Sequence, residues 1–221
     1  MHTTIRKHYN LRMLWTVLTG DIVNSSDLPR RTLDAMIESL ADLVRTTSGW
    51  PDTTGRDTLA GFARRGGDGW QIAARDLKNP LRLALCAQSR IRALLDEGAT
   101  RIAIATDAGT APDSFPDDLN AAHGPAFTKS GQLLETLDGR RLMAHADGHA
   151  LDALLCLADH VSQGWTQAQA RALSHKLSPE RPPNRVIGQR LKISRQAVDQ
   201  ALAGAGYAAI SDALATLEDA P

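Results

Sequence analysis

Two aspartates in this chain stand where a pair of carboxylates could bind a metal ion. Asp21 follows a nearly unbroken apolar run over residues 13–18, rich in β-branched and aromatic side chains. Such a run is typical of a strand buried on both faces, and α/β sheets place ligands at the carboxyl ends of their strands. Asp68 lies in the glycine-rich stretch 66–69, which predicts a hairpin turn. Asp21 taken alone also fits a helix cap or a turn residue.

The order of the predicted elements brings these aspartates together. It is strand, helix, strand, strand, helix, strand, followed by a further helix and strand, over residues 13–18, 33–44, 58–64, 70–74, 81–95, 101–106, 125–137 and 141–145. This order predicts an α+β protein with a ferredoxin-like βαββαβ domain. A right-handed crossover makes the first two strands parallel, and the third returns antiparallel between them. Asp21 and Asp68 should therefore face each other at one edge and bind a hard cation, Mg²⁺ or Mn²⁺.

Length and composition favour a globular protein of one large or two small domains. The 221 residues are 43% hydrophobic and 23% charged, values ordinary for a chain that buries a core. The 25 basic residues equal the 25 acidic ones, so any nucleic-acid site must be local. Cys86 and Cys156 lie in apolar helical patterns and are expected to be buried and unpaired. With no signal-peptide pattern or long apolar run, we expect a cytoplasmic protein that makes no membrane contact.

Several motifs resemble those of palm-type nucleotidyl cyclases. The stretch 66–70 is similar to the GGDEF hairpin of diguanylate cyclases and to the Gly-Asp hairpin of class III cyclases. The stretch 20–23 resembles the metal-binding first strand of these enzymes. Together with residues 101–104 and 124–127, the arrangement most resembles the SatD family of bacterial proteins. In that family a palm-like cyclase-related domain is often followed by a helix-turn-helix.

The resemblance implies a site for a metal ion and a nucleotide. It makes the carboxylates of Asp21 and Asp68 and the backbone carbonyl of Ile22 metal ligands. It places Asn24, Ser25 and Ser26 near a triphosphate. The other positions predicted to bind a nucleotide are Gly20, Gly66, Gly67 and Lys129.

Departures from the cyclase pattern bear on catalysis. Class III cyclases carry an Asn and, four residues later, an Arg that stabilise the transition state, and Thr128 and Gln132 occupy those places here. GGDEF proteins have Glu where Gly69 stands. Loss of the Arg removes positive charge that phosphoryl transfer requires, and the nearby Lys129 is one position out of register. We therefore expect metal and phosphate binding with absent or very slow cyclisation. Trp70 is expected to be a core residue rather than a base-stacking one.

From residue 148 onward the pattern becomes all-helical, which predicts two domains over residues 1–147 and 148–221. The stretch 186–202 resembles the helix-turn-helix of sigma-factor region 4. In that arrangement Ile193 fills the turn and Ser194 caps the second helix. The C-terminal domain is therefore predicted to be a small all-α helix-turn-helix module.

Basic residues concentrate in this module. Residues 171–195 hold seven Lys or Arg and a single acidic residue, Glu180. A basic module in a neutral chain favours double-stranded DNA as a partner, with the first turn of the recognition helix at base edges. The residues expected to contact DNA are Arg185, Arg190, Lys192, Ser194, Arg195, Gln196 and Gln200. The alternative is a helical dimerisation appendage with a solvated basic face.

These observations support three hypotheses of different classes. The leading one is a DNA-binding regulator that acts as a homodimer and whose palm domain binds a nucleotide with Mg²⁺ or Mn²⁺ as a signal. The second is an active nucleotidyl cyclase or related phosphoryl-transfer enzyme. The third is a palm domain that serves only for dimerisation. Incubation with each nucleoside triphosphate and analysis of the products separates them.

Overall fold

The computed structural model describes residues 14–47, 50, 57–111, 115–178 and 180–219. Within these ranges the chain is an α+β protein with a five-stranded mixed sheet and eight α-helices. The strands are β1 (Leu14–Ile22), β2 (Leu59–Arg65), β3 (Gly69–Arg75), β4 (Thr100–Ala108) and β5 (Met143–His145). The helices are α1 (Arg30–Thr47), α2 (Pro80–Leu94), α3 (Pro125–Thr136), α4 (His149–Gln163), α5 (Gln167–Lys176), α6 (Asn184–Leu191), α7 (Arg195–Gly204) and α8 (Tyr207–Asp219).

Strand β1 lies at the centre of the sheet. The strand order is β2-β3-β1-β4-β5, in which β1 pairs antiparallel with both β3 and β4. Strand β3 lies between β1 and β2, as the sequence predicts, and β5 extends the sheet parallel to β4. Trp15, Val17 and Leu18 are all buried, since both faces of β1 are covered. The prediction of a central buried strand is therefore confirmed.

Strand β1 continues beyond its predicted end, through Asp21 to Ile22. Asp21 pairs across the sheet with Gly69 on one side and Arg101 on the other. Pairing with β3 on one side and β4 on the other keeps the backbone of residues 19–21 extended, even though these residues are not apolar. Asp21 is therefore a strand residue, and its interpretation as a cap or turn residue is wrong.

Alternate residues of the central strands face two different helix layers. Leu18, Ile22 and Trp70 belong to the core that includes apolar residues of α1 and α2. Trp15 and Phe127 belong to a second cluster on the other face, which α3 covers. Because side chains alternate along a strand, Asp21 shares the face of Trp15 and points toward the α3 side.

The C-terminal helices extend the core of α1 and α2. The Cys86 thiol on α2 donates to the Leu177 carbonyl at 3.5 Å, and Asn79 donates to the Leu214 carbonyl on α8 at 3.3 Å. Helix α8 lies beyond the elements predicted from the sequence. A domain boundary at residue 147 remains a prediction, and the apolar cluster is continuous across it.

The two cysteines differ in exposure. Cys86 is buried as expected, and burial raises the pKa of its thiol to about 12. Cys156 is exposed, so its predicted burial is wrong. Helix α4 packs through Leu155 and Ala158, which leaves the face with Cys156 toward solvent. Among the described residues no helix is both long and apolar enough to cross a bilayer.

Candidate functional site

Both predicted aspartates line one cavity at the carboxyl end of β1. The β2–β3 hairpin reaches this edge, where the Ile22 N–H donates to the Asp68 carbonyl at 3.3 Å. The cavity has a volume of about 340 Å³ and is lined by Asp21, Ile22, Val23, Asn24, Ser25, Ser26, Asp68, Arg101, Asp138 and Gly139. The structure therefore brings Asp21 and Asp68 to the same edge of the sheet.

The Asp21 carboxylate forms a two-point ion pair with Arg101. The Arg101 Nε–H donates to Asp21 Oδ1 at 2.8 Å, and Nη2 donates to Oδ2. Arg101 Nη1 also donates to the Leu137 carbonyl at 2.7 Å, just after α3. The hydrogen bonds to Asp21 raise the pKa of the Arg101 guanidinium above its usual value. Both carboxylate oxygens of Asp21 therefore have a cationic partner within the protein.

The Asp68 carboxylate has a weaker, neutral partner in the Ser25 hydroxyl, which donates to Oδ2. Ser25 belongs to a short 3-10 turn that follows β1. Asn24, before this turn, has a left-handed backbone with φ of 53°, a conformation that Asn tolerates better than most residues. Within the described chain no backbone carbonyl accepts from the N–H groups of Asn24, Ser25 or Ser26. Such turns of free N–H groups bind anions.

The hairpin that carries Asp68 is held in place by Arg64. Its Nε and Nη2 groups donate to the Gly67 carbonyl at 2.9 and 2.5 Å, and Nη1 donates to Asp34 on α1 at 2.8 Å. A single side chain thus joins the hairpin tip to the helix that follows the cavity turn. The position of Asp68 is fixed by this contact as well as by the sheet.

The donor types in the cavity fit a divalent cation that takes most of its ligands from a bound phosphate and from water. Asp21 and Asp68 supply carboxylate oxygens, whereas the Asp138 carboxylate, which also lines the cavity, accepts hydrogen bonds from Arg140 that lower its pKa. Mg²⁺ is commonly bound by one or two carboxylates plus water and substrate phosphates. Among the described residues no three His, Cys, Asp or Glu are grouped as a metal cage. The residues fit a metal–phosphate complex better than a metal ion alone.

Four of the residues predicted to bind a nucleotide do not line the cavity. Gly20 lies beneath Trp70, where an added Cβ would come 2.4 Å from the indole ring. Gly66 and Gly67 lie at the hairpin tip, where an added Cβ would meet no other atom within 4 Å. Lys129 lies on α3, where its ammonium pairs with Asp107 at 2.6 Å.

Trp70 supports the site from below. It is fully buried, as predicted, and its indole N–H donates to Thr100 Oγ1 at 2.8 Å. The Thr100 hydroxyl lies 2.6 Å from the Asp21 carbonyl, to which it donates. Thr128 and Gln132 are exposed on α3, and neither lines the cavity.

The cavity-lining residues absent from the predicted site are Arg101, Asp138, Val23 and Gly139, of which the first two carry charge. The signal for Arg101 was present, since the predicted topology places β4 beside β1 and Arg101 opens the predicted fourth strand. In the antiparallel register it stands directly opposite Asp21. Asp138 follows α3, and no sequence pattern places the end of that helix at the cavity.

The second candidate surface is formed by α6, α7 and the turn between them. Ser194 caps α7, its hydroxyl accepting from the Ala197 N–H at 3.1 Å. A Cβ on Gly188 would come 2.8 Å from the Ile193 carbonyl, so α6 packs against the turn through backbone. The Ile193 side chain is 44% exposed, and its predicted role in filling the turn is wrong. The close packing of the turn against α6 at Gly188 involves the Ile193 backbone and not its side chain.

All the residues expected to contact DNA are exposed on this surface, namely Arg185, Arg190, Lys192, Ser194, Arg195, Gln196 and Gln200. Arg190 pairs with Glu180 at 3.1 Å and Arg195 pairs with Asp199 at 3.3 Å. Both pairs are largely solvated, so each contributes little and can exchange for a phosphate or base.

Comparisons with known proteins leave the family of this chain open. No protein-family model matches the chain, and no curated protein is significantly similar to it.

Proposed function

We propose that this chain is a DNA-binding regulator whose sheet domain binds a nucleotide together with Mg²⁺ or Mn²⁺. The observation that carries the proposal is the cavity at the end of β1. There Asp21 and Asp68 line one cavity with residues 24–26, whose N–H groups have no backbone acceptor among the described residues. The carboxylates suit a hard cation and the N–H groups suit phosphate oxygens, so a metal–nucleotide complex has a donor for each part.

In this proposal the sheet domain is a ferredoxin-like palm domain. Its strands β2-β3-β1-β4 are antiparallel to each neighbour and occur in the order that βαββαβ topology requires. Helix α3 and strand β5 then add a parallel crossover at one edge. The likeness of the hairpin and first strand to those of the SatD family supports the same assignment.

The C-terminal helices supply the DNA contact in this proposal, with α6 and α7 forming a helix-turn-helix. Support comes from the cap at Ser194 and from the exposed basic side chains at both ends of the turn. Arg195 and Gln196 lie in the first turn of α7, the part of a recognition helix that reaches base edges. A homodimer in the cytoplasm, reading a palindromic site, is the working form that this arrangement favours.

A binding panel tests the nucleotide half of the proposal. Each nucleoside triphosphate is titrated by calorimetry with Mg²⁺ or Mn²⁺ into the wild type, Asp68→Asn and Asp117→Asn. We expect one triphosphate to bind the wild type and Asp117→Asn alike, since Asp117 is exposed and away from the cavity. Asp68→Asn should bind it about tenfold or more weakly. Absence of binding by the wild type to all four would refute the nucleotide function.

Arg101 favours a second candidate, a metal-dependent phosphoryl-transfer enzyme. Its guanidinium adds positive charge at the cavity, which Thr128 and Gln132 cannot supply. Chromatography of the same incubations decides between the candidates. We expect the triphosphate to be recovered unchanged or nearly so. Formation of a cyclic nucleotide that Asp68→Asn abolishes would establish the enzyme instead.

A further inference from the structure

We infer that Arg101 and a divalent cation compete for the Asp21 carboxylate, so that a cation enters this cavity only together with a phosphate group. The inference rests on the proposed nucleotide function and adds the residue that couples the two ligands. Arg101 belongs to none of the predicted metal or nucleotide positions. It is placed at the site by the β1–β4 register, 80 positions after Asp21 in the chain.

The Asp21–Arg101 pair is built to resist a free metal ion. Both oxygens of Asp21 accept from the guanidinium, and the two side chains are only 19% and 33% exposed. Parallel two-point contacts of this kind are stronger than single ones, and partial burial reduces screening by salt. The contact of Nη1 with the Leu137 carbonyl fixes the guanidinium from a third direction.

A cation that arrives alone therefore meets a fixed positive charge beside the carboxylate it needs. Like charges at this range repel, and Asp21 must release one cation before it binds another. Among the described residues the Asp68 carboxylate accepts from the Ser25 hydroxyl and makes no close ion pair, although the charge of Arg101 lies near it, so Asp68 is the more accessible carboxylate. One carboxylate holds Mg²⁺ or Mn²⁺ weakly without further ligands.

A phosphate group removes this conflict because it attracts both cations. Three of the five guanidinium N–H groups make the contacts described above, which leaves two that can donate to phosphate oxygens. The guanidinium fork matches phosphate as well as it matches carboxylate. Residues 24–26 line the same cavity, and their N–H groups, which no backbone carbonyl of the described residues accepts, can donate to further phosphate oxygens.

The experiment measures binding of Mn²⁺ alone and of Mn²⁺ with inorganic tripolyphosphate, using electron paramagnetic resonance and calorimetry. Tripolyphosphate avoids any dependence on the base. The proteins are the wild type, Arg101→Gln, Arg101→Lys and a matched control, Arg92→Gln. Arg92 donates to the Gln163 carbonyl at 3.3 Å and does not line the cavity. Circular dichroism melting of each variant reports its folding.

Arg101→Gln is expected to bind free Mn²⁺ about tenfold or more tightly than the wild type, because Asp21 is released. It should bind Mn²⁺-tripolyphosphate about tenfold or more weakly, because the phosphate loses a charged donor. Arg101→Lys keeps the charge but not the fork, so its changes should have the same signs and smaller size. If Arg101→Gln does not fold, the Arg101→Lys variant tests the competition for Asp21 instead. Arg92→Gln should match the wild type.

Failure of the competition between Arg101 and the cation can be distinguished from failure of the proposed nucleotide function. If the wild type binds Mn²⁺-tripolyphosphate and the Arg101 variants bind free Mn²⁺ no more tightly than it does, competition is refuted while the nucleotide function stands. If the wild type binds neither tripolyphosphate nor any nucleotide with either metal, the proposed function fails and the inference fails with it.

Discussion

The cavity at the end of β1 and the surface of α6 and α7 are built in opposite ways. Asp21, Asp68 and Arg101 come from distant parts of the chain and already have partners within the protein. The basic residues of the C-terminal surface lie within residues 185–200 and are exposed. A ligand of the cavity must exchange with internal partners, whereas the proposed DNA ligand of the C-terminal surface would displace only water and solvated ion pairs. We therefore expect the cavity to discriminate strongly between ligands. The affinity of the C-terminal surface for DNA should instead depend strongly on salt concentration.

The largest expected effect tests the dependence of the cavity on the core. Trp70→Ala should lower the free energy of unfolding by about 3–5 kcal/mol, since a fully buried indole that packs against Gly20 is removed. Gln196→Ala, on the exposed surface of α7, should change it by less than about 0.5 kcal/mol. Urea unfolding followed by circular dichroism measures both. Equal changes in the free energy of unfolding for the two variants would show that the cavity depends on the core no more than the C-terminal surface does.

A second pair of variants separates specificity from affinity at the C-terminal surface. Arg195→Ala should relax preference at one base position, at a cost of about 1–3 kcal/mol on the preferred duplex. Arg190→Ala should weaken binding to all duplexes and reduce the log–log salt slope by about one unit. Fluorescence anisotropy on a selected duplex and a scrambled one, over a salt series, gives both quantities. Arg45→Ala, at the far end of α1, is the control for loss of one exposed positive charge. Failure of the wild type to bind either duplex at low salt would remove the DNA function.

The smallest effect concerns pH and involves one histidine of the sheet and one of the C-terminal helices. Burial lowers the pKa of both His145, the last residue of β5, and His175 on α5, near Arg190. Below a pH of about 6.5 the unfolded chain takes up protons that these folded side chains resist. Stability should therefore fall as pH falls from about 7 to 5. His145→Asn and His175→Asn should each remove part of that loss in urea unfolding at the two pH values. A variant whose loss equals that of the wild type would show that its histidine makes no contribution.

Local pattern and topology rules were enough to predict much of this arrangement. The central strand, the hairpin and the meeting of Asp21 with Asp68 follow from apolar runs, turn residues and the right-handed crossover. Ser194 was predictable as a cap because capping depends on residues next to it in the chain.

The features that sequence analysis missed depend on tertiary packing. Arg101 faces Asp21 because of the β1–β4 register, which an apolar pattern does not specify on its own. The exposure of Cys156 and Ile193 depends on which helix face finds a partner. Asp138 reaches the cavity only because α3 packs on that side of the sheet.

If the nucleotide is a signal, its binding in the cavity must change DNA binding at the C-terminal surface. Affinity for a duplex selected from a random pool is measured by anisotropy with and without the triphosphate that binds best, at constant Mg²⁺. We expect the triphosphate to change the Kd of the wild type for this duplex about fivefold or more, in the range of ordinary allosteric coupling. The ratio of the two Kd values should fall to about one in Asp68→Asn and stay at the wild-type value in Asp117→Asn. A wild-type Kd that is the same with and without the triphosphate would contradict the proposal that the nucleotide is a signal.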